Sequence, residues 1–113
     1  MWAEKYKQLI VALCLALFSA AAWPVAGWTS YGIVTELIPT TAGRFLVQLD
    51  VASNPSGCKN KQWFYRDYSG TGADHMFRAL LDTLGTGQKV RVYVTGSCDL
   101  NGYSEISSAS FIP

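Results

Sequence analysis

Apolar and polar positions alternate along much of this chain. In "RFLVQLDV" (44–51), Phe45, Val47, Leu49 and Val51 share one face. Arg44, Gln48 and Asp50 share the other, and Leu46 is the one apolar residue on that side. Period two is the pattern of a half-buried strand. "KVRVYV" (89–94) repeats it, with Val90, Val92 and Val94 inward and Arg91 and Tyr93 outward. "YGIVTELI" (31–38) precedes these, closed by Pro39 and the turn "TTAG". "QWFYR" (62–66) is a short aromatic strand, and "YSEISSASFI" (103–112) a serine-rich last one.

Between the third and fourth strands the period changes. In "TGADHMFRALLDTLGTG", Ala73, Met76, Phe77, Leu80, Leu81 and Leu84 recur at helical spacing and form one apolar stripe. Thr71 with Asp74 is a capping pair, and Gly85 a C-terminal stop. Asp74, Arg78 and Asp82 stand four apart on the polar face and predict two ion pairs. Asn101-Gly102 predicts a two-residue hairpin turn joining the last two strands, with Cys98 near its tip. The order is strand-strand-strand-helix-strand-strand. That predicts a mostly β fold with one helix: a five-stranded OB-fold barrel with the helix between strands 3 and 4. An open α+β sheet with one packed helix is the alternative.

The first residues change the picture. A basic start with Lys5 and Lys7 leads into the uncharged run "LIVALCLALFSAAA" (9–22), which Pro24 stops. This is the pattern of a secretory signal peptide, and the run is short of the roughly 20 residues that span a bilayer. Cleavage falls after Ala22 or after Gly27; the latter leaves one domain at 28–113 beginning at Trp28. Cys14 follows Leu13 inside the apolar run, which is not a lipid-attachment context. The segment removes Lys5, Lys7 and Glu4, so a chain of net charge +1 becomes formally neutral. A neutral exported domain, periplasmic or secreted, has no electrostatic footprint for nucleic acid. Of three cysteines two remain, Cys58 and Cys98. An even pair in an oxidising compartment reads as one disulfide; two separate buried thiols are the alternative.

The candidate chemistry is that of binding. No metal or cofactor is implied, since no cysteines stand in pairs and His75 is the only histidine. His75 lies beside Asp74 on the polar helix face, as a solvated residue does. No serine stands in a GxSxG context, and "GTGQK" (85–89) leads into a strand and not into the helix a phosphate loop requires. Glu36 and Glu105 fall on outward positions of strands one and five. The aromatics carry more information: Trp28, Tyr31, Trp63, Tyr65, Tyr68, Tyr93 and Tyr103 suit half-exposed surfaces. Trp63 and Tyr65 read as core and rim, while Tyr31, beside Ser30, and Tyr93 are the exposed candidates.

Four features in order then carry a family resemblance: Trp28-Thr29, the strand "GIVTELI", the helix ending "ALLDTLGTG", and "GQKVRVYV". Together they resemble the B subunits of the subtilase cytotoxin type. The resemblance implies an exported OB-fold protein, a ring-shaped homopentamer, a sialylated glycan as ligand and a separate enzymatic A subunit as partner. It would place the helix face with Asp74, His75, Arg78 and Asp82 toward a central pore. The chain also departs from that family. Its second strand has no cysteine to match the family's disulfide, and Cys98 has no counterpart there. The family's sugar-contacting serine aligns with Tyr31, one position after Ser30, and its strand-four tyrosine aligns with Val94, one after Tyr93. The aromatic, proline-containing segment after strand four is replaced by "TGSCDLNG" (95–102). Ser30, Tyr31 and Tyr93 therefore stand as glycan-binding candidates without an inherited specificity. The rival reading is a stand-alone periplasmic OB-fold protein that binds a protein or small ligand and has no toxin role.

Overall fold

The computed structural model describes residues 24–113. The basic start and apolar run read as a signal peptide lie outside the described residues. The elements are β1 (Gly27–Trp28), β2 (Gly32–Pro39), β3 (Arg44–Leu49), β4 (Trp63–Asp67), α1 (Ala73–Thr83), β5 (Lys89–Cys98) and β6 (Ser104–Ile112). The protein is mostly β with a single helix, which sits between β4 and β5 where the change of period placed it. β5 pairs with β2, β2 with β3 and β3 with β4, all antiparallel. β4 then pairs with β6 in parallel, and β6 returns to β5 antiparallel. The hydrogen bonding of these five strands thus closes into a ring, and β1 adds to the edge of β5 as a sixth strand.

The core follows the alternation. Phe45, Val47 and Leu49 of β3 and Val90, Val92 and Val94 of β5 are fully buried, with Phe64 of β4 and Ile106 of β6. In β3 and β5 alternate side chains enter the core, because successive Cβ atoms alternate across a pleated strand, whereas in β2 and β6 a register shift changes the inward side from Val34 to Leu37 and from Ile106 to Ala109 and Phe111. The helix packs on the core. Ala73 and Leu80 are buried, and Met76, Phe77 and Leu84 pack against the core. Phe77 meets Phe45 edge-on at 5.4 Å between ring centroids.

Three local expectations change. Leu81, assigned to the apolar stripe, is 48% exposed, while Thr83 is buried and donates its hydroxyl to the Leu80 carbonyl at 2.7 Å. Thr71 and Asp74 do not cap the helix. Gly72 holds the N-cap in the left-handed region (φ 74°) with no side-chain bond, and the Thr71 carbonyl accepts from Arg66 instead. The ion pairs of Asp74 and Asp82 with Arg78 do not form; both ion pairs among the described residues belong to Arg44. Gly85, in the left-handed region, follows the helix as the expected stop.

The hairpin is also built differently. Among the described residues no non-glycine residue has positive φ, so Asn101 cannot take part in the turn type that a two-residue Asn-Gly loop needs. The loop is longer. Gly102 donates to the Asp99 carbonyl and Asp99 to the Tyr103 carbonyl, both at 3.0 Å. One Asp99 carboxylate oxygen accepts from the backbone N–H of Asn101 and of Tyr103, each at 2.9 Å. Asp99, and not Asn101, organises the turn. Gly102 supplies the left-handed residue (φ 79°), and a Cβ there would lie 2.7 Å from Cβ of Lys59. Gly102→Ala is expected to cost about 2 kcal/mol, from the left-handed penalty and the displaced loop. A shift of the urea midpoint by less than a quarter of that would remove this assignment.

The hairpin is tied to the loop ahead of β4. Asn60 N–H donates to the Gly102 carbonyl at 2.9 Å. The Ser56 and Ser104 hydroxyls, both fully buried, meet at 2.7 Å, and Asn54 donates to Ser104 at 3.1 Å. This docking brings the Cα atoms of Cys58 and Cys98 to 5.6 Å, and the two form a disulfide across 40 residues of sequence. Among the described residues no helix is long and apolar enough to cross a membrane.

Candidate functional site

The outward face of β5 carries Arg91 and Tyr93, since Val90, Val92 and Val94 take the inward positions. β1 lies alongside with Trp28 opposite Tyr93. Thr29 pins that edge: its N–H donates to the Val92 carbonyl at 2.9 Å, and its hydroxyl accepts from Val92 N–H at 3.2 Å. Tyr31 follows immediately before β2.

Four side chains converge here. The Arg91 guanidinium lies 4.6 Å from the Trp28 ring centroid and 5.0 Å from that of Tyr31. Tyr93 packs edge-on against Trp28, with centroids 5.4 Å apart. Guanidinium–ring contacts of this length hold the cation in place. Trp28 and Tyr31 remain 39% and 36% exposed. Arg91 has no ion-pair partner among the described residues, and its Nε is buried without a hydrogen bond. A rigid guanidinium with unengaged donors, edged by exposed aromatic rings, can grip a planar anion while the rings cover an apolar face.

Of the residues singled out in the sequence, Tyr31 and Tyr93 belong to this patch. Ser30 does not present a free hydroxyl in the same way: its oxygen accepts from the Ala52 and Ser53 N–H groups at 2.9 and 3.0 Å and holds that loop. Asp74, His75, Arg78 and Asp82 are exposed on α1, apart from the patch. Trp28 and Arg91 complete the site. Arg91 was legible as an outward position in "KVRVYV". Trp28 stood among the half-exposed aromatics, but its place beside Arg91 and Tyr93 was not legible, because its partner strand lies more than sixty residues away.

A second constellation lies on β3, β4 and the β5–β6 hairpin. Arg44 bonds Asp67 through Nε and Asp99 through Nη1, both at 3.2 Å. Its guanidinium lies over the Tyr65 ring, 4.1 Å from the centroid. Arg44, Tyr65 and Asp99 line a groove of about 650 Å³ with Thr40, Leu46, Leu100 and Asn101. Tyr65, expected at core or rim, is 5% exposed. Burial, then the negative charge of Glu105, pushes its hydroxyl above the ordinary 10.0; Asp67 and Asp99 add to this and Arg44 opposes it.

The sign of the consequence is fixed. The unfolded chain releases this proton at a lower pH than the folded one. The stabilisation is complete below about pH 10 and is lost as pH rises through the raised value. Urea midpoints measured across that range are expected to fall with pH, and less steeply in Tyr65→Phe. Equal slopes in the two proteins would contradict it.

Glu36 is exposed on β2, and Glu105 accepts the Thr95 hydroxyl at 2.9 Å. Among the described residues no three His, Cys, Asp or Glu side chains gather as metal ligands. No protein-family model matches this chain, and no curated protein matches it significantly.

Proposed function

We propose that this chain is an exported, non-catalytic binding module of the OB-fold type, and that the Trp28–Tyr31–Arg91–Tyr93 patch takes an acidic glycan. One observation carries the reading: Arg91 is clamped over two exposed aromatic rings with no carboxylate among the described residues to neutralise it. A sugar carboxylate supplies the missing partner in bidentate form, and the rings supply the face on which a pyranose packs. The ring of five hydrogen-bonded strands, with one parallel pair and a helix between the third and fourth, supports the OB-fold reading. The disulfide supports a periplasmic or secreted location. Cleavage after Ala22 is the choice that keeps β1 whole, since Gly27 pairs with Val94 and the backbone of 24–26 runs beside Gly96. The resemblance to toxin B subunits extends the proposal to a homopentamer with the exposed face of α1 toward its pore and a separate A subunit as partner.

A glycan array probed with the exported protein tests the ligand. Binding to carboxylate-bearing glycans is expected to fall about a hundredfold in Arg91→Ala and less than that in Trp28→Phe. Arg91→Lys keeps the charge and loses the fork, so it separates electrostatics from bidentate recognition. Light scattering reads the assembly state, and intact mass reads the first residue. Glycan binding that is unchanged in Arg91→Ala would discard the patch. A monomer that binds no glycan would leave the stand-alone periplasmic reading in its place.

A further inference from the structure

We propose that the aromatic patch takes an acidic oligosaccharide with carboxylates on two adjacent sugars, the first held by Arg91 and the second by Lys89. This second subsite presupposes that the patch takes an acidic glycan, and it lies on the same strand face.

β5 presents Lys89, Arg91 and Tyr93 outward at alternate positions, since Val90, Val92 and Val94 enter the core. Residues two apart on one face of a strand stand about 7 Å apart, so two cations face outward as neighbours. The register with β6 is unbroken from Lys89 to Tyr93. Ile33 of β2 lies opposite Lys89 on one side, and Ile112 of β6 lies opposite it on the other. Ala109 and Phe111 pack against the core, which turns Ile112 outward. Ile33 is 37% exposed. Each cation is therefore flanked by surface on which a sugar ring can lie: Arg91 by Trp28 and Tyr31, Lys89 by Ile33 and Ile112.

Neither cation is neutralised within the described residues, where both ion pairs belong to Arg44. Two carboxylates border this face, and each already accepts from the chain: Asp50 from the Ile33 N–H and Glu105 from the Thr95 hydroxyl. Arg91 Nε is buried without a hydrogen bond, and a donor so placed normally has an acceptor. One carboxylate fills the Arg91 fork and leaves Lys89 unpaired. Two cations in one row therefore call for two acids. Adjacent uronic acids of an oligosaccharide carry carboxylates on successive rings, which is the repeat this row can read. The two cations also differ in kind. The guanidinium fixes the orientation of the first acid, while the flexible lysine ammonium, a point charge with three donors, follows a second acid whose position varies with the glycosidic torsions.

The test is an amide NMR titration of the disulfide-bonded protein with galacturonate, α-1,4-digalacturonate and the dimethyl ester of that dimer. Digalacturonate is expected to bind about tenfold tighter than galacturonate, the gain of one more hydrogen-bonded charge. Both acids should shift the amide of Arg91, and the dimer alone those of Ile33, Lys89 and Ile112. The dimethyl ester keeps both rings and loses both charges, so it should bind far more weakly than the diacid. Lys89→Met keeps an apolar stem at an exposed position and should abolish the gain of dimer over monomer, with the dispersed spectrum of the parent retained. Arg91→Ala should weaken both acids. Equal affinity for monomer and dimer in the parent, or a gain that survives in Lys89→Met, would overturn the second subsite and leave the patch standing. Absence of binding by either acid, an ester that binds as tightly as the diacid, or affinities unchanged in Arg91→Ala would overturn the acidic-glycan reading together with it.

Discussion

Replacing Cys58 and Cys98 together with alanine is expected to remove about 4 kcal/mol of stability, the loop-closure value for a crosslink spanning 40 residues. In a domain of this size that corresponds to a fall in melting temperature of about 20 °C. The effect should be distributed unevenly. The bridge joins the loop ahead of β4 to the β5–β6 hairpin, where Ser56 and Ser104 are buried together. Without it, amide exchange should accelerate first in the segments around Asn60 and Gly102, which depend on each other for a backbone hydrogen bond. The core strands should stay protected until global unfolding. Thermal melts and hydrogen exchange on the double variant check both parts. A loss below about 1 kcal/mol would mean that the serine and asparagine contacts already hold the hairpin in the unlinked chain.

Phe45→Ala is expected to cost about 3–5 kcal/mol, the range for removing a fully buried phenylalanine. Phe45 lies at the centre of the helix–sheet contact. Its ring meets Phe77 of α1 at 5.4 Å and Tyr68 at 6.5 Å. Truncation therefore leaves a cavity and strips the helix of its main aromatic partner, adding a pair contribution of about 1 kcal/mol. Phe45→Leu refills most of the volume and should cost less than half as much. Denaturant titration of both variants measures the difference. If Leu and Ala prove equal, the edge-on contact matters more than the volume and the cavity account fails. The same residue bears on the groove. Arg44 and Leu46 flank Phe45 in the strand and point the other way, so loosening Phe45 also releases two residues that line the groove.

Most of the element map was legible because it rests on local periodicity. Val90, Val92 and Val94 alternate with Arg91 and Tyr93, and no tertiary contact is needed to see which side is apolar. The same holds for β3 and for the run from Ala73 to Leu84. Leu81 shows the limit. A stripe on a helical wheel says which residues can share a face, not how wide a face the partner offers, and the ring covers Ala73 and Leu80 while leaving Leu81 in solvent. The hairpin shows another. Asn-Gly is a strong turn signal, yet Asp99 offers its carboxylate to two N–H groups of the loop and bonds Arg44 as well, which selects a longer turn. That choice depends on a residue 55 positions away. β1 escaped notice because two residues make no periodic pattern, and their partner is β5.

The candidate sites divide in the same way. Tyr31 and Tyr93 were recognisable as exposed aromatics, and Cys58 with Cys98 as a pair, from residue type and alternation alone. What those features do was decided by strands meeting across the ring. Trp28 reaches Tyr93 and Arg91 only because β1 adds to β5, and Tyr65 is buried on an outward face only because Arg44 and the hairpin fold over it. Local sequence determines which side of each strand is apolar, since backbone geometry sets that residue by residue. Which polar and aromatic side chains become neighbours is set by register and closure between strands distant in sequence, and those are settled only when the whole core packs.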